Sequence, residues 1–255
     1  MKHVYVFDAD DTLWLTEWLY SRSLIKFFAF LHASFGRYTP NLYSIKNSFA
    51  EIDRELFLKR GVRRGRHAAS MLRCYEEIAQ WIEQRFHKNL RQPSHRAEIV
   101  KIGDEPFDHS QIKWIPEAKA VLKKLKNQGH DLCILSSYDK RFFADKISFL
   151  GVGKFFQPNR VLSVPGGKSK QDFIAASGWT PAKDKNHIWF AVGNVANDIL
   201  PALEISKQWR GIYIPHPTTS AVSRHEKGLN HFSPPKIKNS RVATIRSFRS
   251  FPYQF

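Results

Sequence analysis

Cysteine is nearly absent from this 255-residue chain: only Cys74 and Cys133 occur, far apart in sequence. That excludes a disulfide framework and matches a reducing compartment, the cytoplasm. Long apolar runs are missing too. None approaches the roughly 18–20 residues that a membrane helix needs, so no membrane span is expected. The N-terminal apolar run is short and carboxylates follow it at once, which is not the layout of a secretory signal. No internal repeat is visible, and the histidines show no metal-ligand spacing. Acidic residues are scarce, 23 against 40 lysines and arginines, giving a formal net charge of +17. Such a field attracts anions, phosphorylated small molecules and nucleic acid among them, and says nothing of fold. The basic residues are scattered and no nucleic-acid motif is readable. Nucleic acid is therefore admitted by the charge but not favoured by the pattern.

What is present suits a globular chain. Hydrophobic residues make up 42%, enough for a sizeable core. The length fits one large domain, or a core carrying a smaller one. Residues 2–8 read as a strand buried on both faces, because apolar residues follow one another without alternation. From Glu17 to about His87 the period is helical. Leu19, Leu24, Phe27, Phe28 and Leu31 recur three or four apart, as do Met71, Tyr75, Ile78 and Ile82. Residues 88–110 are polar, contain Pro93 and Pro106, and read as a return linker. Strands then alternate with helices: strands at 130–137, 161–164, 187–193 and 211–216, and helices at 116–126, 139–150, 168–177 and from about Asp198. This predicts an α/β fold, a Rossmann-like parallel sheet core with helices on both faces. The core would comprise residues 1–16 and 111–216, with an inserted helical cap and return linker at 17–110. A basic tail, 217–255, would be largely loop, with VATIRSF docking on the body.

In an open parallel sheet, ligands bind outside the carboxyl ends of the strands. The polar clusters fall there: Asp8-Ala9-Asp10-Asp11-Thr12, then Ser136-Ser137, then Lys168, then Gly193-Asn194 through Asp198. Together they supply carboxylates, a hydroxyl, an ammonium and an amide. Those are the parts for phosphoryl transfer through a covalent aspartate. Crowded carboxylates call for a cation, and Mg²⁺ suits oxygen ligands and phosphate. A hydroxyl and a lysine would hold the phosphoryl oxygens.

These motifs, in this order over residues 3–216, closely resemble the haloacid dehalogenase-like (HAD) superfamily. Asp8, Asp10 and Thr12 match its first motif, D-x-D-x-T. Ser136 matches the second, with Ser137 a near-equal rival. Lys168 matches the third, with Lys170 its rival near the same helix start. Gly193 to Asp198 match the fourth, G-D-x-x-x-D, except that Asn194 replaces the first acid. The stretches DADDTLW, GVRRGRHAASML and GNVANDILPAL resemble one subgroup of HAD-type hydrolases. In that subgroup Asn194 is a trait of the fourth motif. The inserted block sits where the family places its C1-type helical cap.

The resemblance implies that Asp8 is the nucleophile. Asp10 would protonate the leaving oxygen and then activate water, Ser136 and Lys168 would hold the phosphoryl group, and Thr12 would orient the first loop. Asp8, Asp10 through its carbonyl, Asn194 and Asp198 would bind Mg²⁺. The implied activity is a Mg²⁺-dependent phosphatase of phosphorylated small molecules. An acid at position 10 favours phosphate over carbon–halogen chemistry, because halide leaves without a proton. A dehalogenase, a phosphonate-cleaving relative, and an anion- or nucleic-acid-binding protein without catalysis are the rival readings.

Blander roles compete for several residues. Asp11 reads as a helix cap or a solvent-facing acid. Asn197-Asp198 would also serve as a helix N-cap pair. Arg63, Arg64 and Arg66 either recognise an anionic substrate tail or form a solvated basic face.

Overall fold

The computed structural model describes residues 2–61, 63–137, 140–164, 170, 174, 187–215 and 237–253. The chain divides into two compact units: Met1–Glu17 with Ile112–Phe255, and Trp18–Gln111.

The first unit is built on a six-stranded parallel sheet. Its strands are β1 (His3–Phe7), β4 (Asp131–Ser137), β5 (Val161–Val164), β6 (Ile188–Gly193), β7 (Trp209–Tyr213) and β8 (Val242–Thr244), in the order β5-β4-β1-β6-β7-β8. All five residues of β1 are buried, as a strand covered on both faces requires. β1 pairs with β4 at Phe7↔Ile134 and with β6 at Phe7↔Val192, so the carboxyl ends of these three strands are neighbours. The chain works outward through β4 and β5 on one side of β1 and through β6 and β7 on the other. The order therefore reverses at β1, where crevices form in open sheets. Helices α5 (Ala118–Asn127), α6 (Lys140–Phe149) and α7 (Ala196–Ile205) belong to this unit. The helix expected over 168–177 lies largely outside the described residues, as does all of 216–236. Within the tail, VATIRSF contributes β8 and the buried Phe248, which extends the sheet beyond β7.

A short antiparallel ribbon, β2 (Trp14–Leu15) with β3 (Lys113–Trp114), pairs Trp14 with Trp114, whose rings meet edge to face at 5.5 Å. It ties together the two chain segments that flank the helical insertion.

The second unit is helical: α1 (Glu17–Phe35, of which Glu17 lies in the first unit), α2 (Leu42–Arg60), α3 (Arg66–Phe86) and α4 (Pro93–Asp104). Its core includes Phe27, Leu31, Phe49, Met71, Ile78 and Ile99. The return linker expected at 88–110 needs correction, since α4 occupies much of it. Pro93 suits a first helical turn, and Ile99 and Ile102, three apart, are buried. Tyr75 and His95 share a 2.7 Å hydrogen bond, and Gly103 packs so closely on Ala68 that a Cβ would strike its backbone.

His67 makes this unit acid-sensitive. Its ring is buried between Tyr20 and Phe49, 5.2 and 5.6 Å away, and Nε2 has no hydrogen-bond partner. Burial pushes the imidazole down to about 4, with Asp53 opposing and Arg66 adding to the fall. The unfolded chain takes up a proton near pH 6.5 that the folded chain refuses. Stability is thus full above about 6.5 and is lost as pH falls toward 4, by on the order of 3 kcal/mol. Urea unfolding at pH 7 and pH 4.5 should show a smaller acid loss in His67→Gln than in the parent. An equal loss would mean that His67 is not the sensitive group.

Candidate active site

β1 delivers Asp8 to the sheet's carboxyl edge, where its amide still donates to Val192 O at 2.8 Å. The chain then coils into one turn, with Leu13 N donating to Ala9 O at 2.8 Å. Asp11 adopts φ +57°, a left-handed conformation that Asp tolerates better than most residues. Its carboxylate folds back to accept hydrogen bonds from Thr16 N, Thr16 Oγ1 and Glu17 N at 3.0–3.1 Å. Of its two readings, Asp11 thus takes the helix cap. Burial pushes its carboxyl up to about 6, opposed by the Thr16 amide.

Asp8 is nearly buried, and the Lys170 ammonium forms a short ion pair with it. The same Nζ lies 2.6 Å from Asp198 Oδ1. Burial and the neighbouring Asp198 charge push Asp8 up to about 7 against the pull of Lys170. Burial draws the Lys170 ammonium down, but Asp198 and Asp8 together hold it above its usual range. Asp198 comes from the first turn of α7, and its Oδ2 accepts Val195 N at 3.2 Å. A Cβ at Gly193 would collide with the Asp198 side chain, which accounts for glycine at that strand end. The buried Thr12 places its hydroxyl 3.2 Å from Asp8 Oδ2 and 3.0 Å from Asn194 Oδ1, and its single proton serves either acceptor.

Asp10 is arranged differently. Its Oδ1 accepts Trp14 Nε1 at 2.5 Å and Lys146 Nζ at 2.8 Å. Ser136 and Ser137, at the end of β4, share a cleft of about 540 Å³ with Asp8, Asp10, Lys170 and Asp198; Asn194 lines it as well. The structure therefore brings together Asp8, Asp10, Ser136, Ser137, Asn194 and Asp198, with Thr12 bonded beneath them.

Lys168 lies outside the described residues, and its rival Lys170 is the lysine seen among the carboxylates. Arg63, Arg64 and Arg66 belong to the helical unit. Arg63 and Arg64 are exposed, Arg64 lying 3.9 Å from Asp104. Arg66 fits neither of its expected roles, because it is buried in an ion pair with Asp53, which also accepts Ser70 Oγ at 2.7 Å. Sequence reasoning missed Lys146 and Trp14. The signal was there for Lys146: it follows Phe142 and Phe143 at helical spacing on an apolar face, where a lysine needs a partner.

Among the described residues, no helix is long and apolar enough to cross a membrane. No curated protein matches the chain. Its fold is similar to solved structures at low sequence identity. A haloacid dehalogenase-like family hydrolase from Xanthomonas campestris superposes with a TM-score of 0.62 at 18% identity, covering 97% of this chain and 91% of that one. A haloacid dehalogenase-like hydrolase from Burkholderia xenovorans gives 0.56 at 16%, covering 97% and 93%. A 2-haloacid dehalogenase from Pseudomonas syringae gives 0.54 at 16%, covering 97% and 95%. Residues 2–202 match the haloacid dehalogenase-like hydrolase family, a span that runs from the first strand into α7 and takes in each strand end around the cleft. On that match the chain belongs to the haloacid dehalogenase-like hydrolases.

Proposed function

We propose that this hydrolase is a Mg²⁺-dependent phosphatase of small phosphorylated molecules, working through an aspartyl phosphate on Asp8. The observation that carries the reading is Asp10, an acid two residues beyond Asp8 that lines the same cleft. An ester oxygen needs a proton to leave, whereas a halide does not. The stretches DADDTLW and GNVANDILPAL further ally the chain with the HAD subgroup that carries them.

A hard cation fits the oxygens present. Asp8 and Asp198 converge on one ammonium, so positive charge already sits where they meet, and the Asp8 carboxyl is raised by burial and repulsion. Asp8, Asp198, the Asn194 amide oxygen and the Asp10 carbonyl would hold Mg²⁺, which would supply neutralising charge to the carboxylates and the phosphoryl oxygens. The chain's own groups do the rest. An Asp8 oxygen attacks phosphorus as the bond to the leaving oxygen breaks, and Asp10 gives that oxygen its proton. Asp10, now a carboxylate, takes a proton from water, whose oxygen attacks phosphorus. The bond to Asp8 breaks, releasing inorganic phosphate and restoring the carboxylate. Lys170 and Ser136 hold phosphoryl oxygens throughout, Lys170 taking the part expected of Lys168.

A panel of phosphate esters assayed with and without Mg²⁺ tests this reading. Phosphate release that requires Mg²⁺ is expected. Halide release from 2-haloacids without phosphatase activity would replace it with the carbon–halogen reading.

The amide at position 194 sets a second test. Asp8 and Asp198 are the two carboxylates in this ligand set, so they carry most of the attraction. Asn194→Asp adds a third and should tighten Mg²⁺ binding roughly tenfold, while Asp198→Asn should weaken it more strongly. Calorimetric titration of Mg²⁺ into the three proteins reads this without turnover. Silence of both variants would move the metal site away from the fourth motif.

A further inference from the structure

Lys146 is almost wholly buried, with 1% of its side chain exposed, and sits on the apolar face of α6. Burying an ammonium costs several kcal/mol unless a hydrogen-bonded charge compensates it. The compensation comes from Asp10: Nζ lies 2.8 Å from Oδ1 and 3.2 Å from Oδ2. The second donor to Oδ1 is Trp14 Nε1, on a fully buried indole held in the β2–β3 ribbon. Two buried donors from separate elements thus converge on one oxygen of a carboxylate that is itself 24% exposed and lines the cleft. Oδ1 is engaged twice; Oδ2 has one longer contact with Lys146 and is the oxygen left to face a substrate.

We propose that Lys146 is a positioning residue for Asp10. With Trp14, it fixes the carboxylate so that Oδ2 meets the leaving oxygen and, afterwards, the attacking water. The inference rests on the reading of Asp10 as proton donor and acceptor. Holding such a group in a near-attack geometry is worth a large rate factor, and a misplacement of about 1 Å can cost on the order of 100-fold.

The test is a double-mutant cycle on the full chain, using steady-state hydrolysis of p-nitrophenyl phosphate with Mg²⁺, at enzyme concentrations that keep slow variants measurable. Lys146→Met should lower kcat about 10- to 100-fold with KM little changed. In an Asp10→Asn background it should cost nothing further. Trp14→Phe removes the other donor and should behave the same way, so the inference stays testable if Lys146→Met does not fold. Thermal melting identifies variants that have lost structure. A Lys146→Met loss that is equal in both backgrounds, or is confined to KM, overturns the positioning role. If Asp10→Asn itself turns over like the parent, the reading of Asp10 fails first, and that outcome is distinct.

Discussion

Asp8→Asn is expected to cut phosphate-ester turnover by on the order of 10⁴-fold or more, while the protein melts at or slightly above the parent temperature. An amide oxygen is too poor a nucleophile to displace an ester from phosphorus. The structural consequences are mild by comparison. The Asn amide oxygen still accepts the Thr12 hydroxyl, and Lys170 keeps its 2.6 Å contact with Asp198. The parent carboxyl is under electrostatic stress, raised to about 7 by burial and by Asp198. A neutral side chain of the same shape relieves that stress. Loss of rate with retained or improved stability is the signature of a residue kept for chemistry. Initial rates with p-nitrophenyl phosphate and Mg²⁺, read beside a thermal melt, check it. Parent-like turnover in Asp8→Asn would end the aspartyl-phosphate mechanism.

Lys170→Met should have the largest effect on stability. It leaves the Asp8 and Asp198 carboxylates facing each other with no ammonium between them. Removing the partner of a buried charge, so that the charge is left uncompensated, typically costs about 3–5 kcal/mol. For a chain of this size that corresponds to roughly 10 °C in melting temperature. The loss should be conditional. Mg²⁺ binds the folded pair and not the unfolded chain, so millimolar Mg²⁺ should recover much of it. Acid should recover part of it too. Lys170 holds the Asp8 pKa down in the parent, so its removal raises that pKa further, and protonation as pH falls favours the folded variant more than the folded parent. Between pH 7.5 and 5.5 the variant should therefore close part of its gap to the parent. Turnover should fall about 100-fold or more even with Mg²⁺, because the cation proposed to hold the phosphoryl group is gone. A variant that melts like the parent and ignores Mg²⁺ would show that Lys170 does not bridge these carboxylates in solution.

The parts of the site that the sequence revealed are those with local signals. β1, β4 and β6 announce themselves as apolar runs halted by polar residues, and in a parallel sheet that halt marks the functional edge. Asp11 was legible as a cap because the amides that donate to it, those of Thr16 and Glu17, are only five and six residues away. What escaped depends on distant partners. Nothing near Lys146 points to Asp10, since the pair forms only when α6 packs beside the turn after β1. Spacing could not choose between Lys168 and Lys170, because both stand near the same helix start. Helix α4 was hidden by its polarity: a few apolar positions such as Ile99 and Ile102 carry its packing. Strand β8, three residues long, gains its meaning from register with Gly211 to Tyr213 of β7.

The Trp14–Trp114 ribbon has an evolutionary consequence. It fixes the two ends of the helical insertion side by side, within the core unit, whatever lies between them. The entropy of closing a loop grows only with the logarithm of its length, about 0.6 kcal/mol per doubling. Lengthening, shortening or exchanging residues 18–111 therefore burdens the sheet and its strand-end groups very little. The inserted helices can vary in length and sequence while the sheet and its strand-end groups are kept.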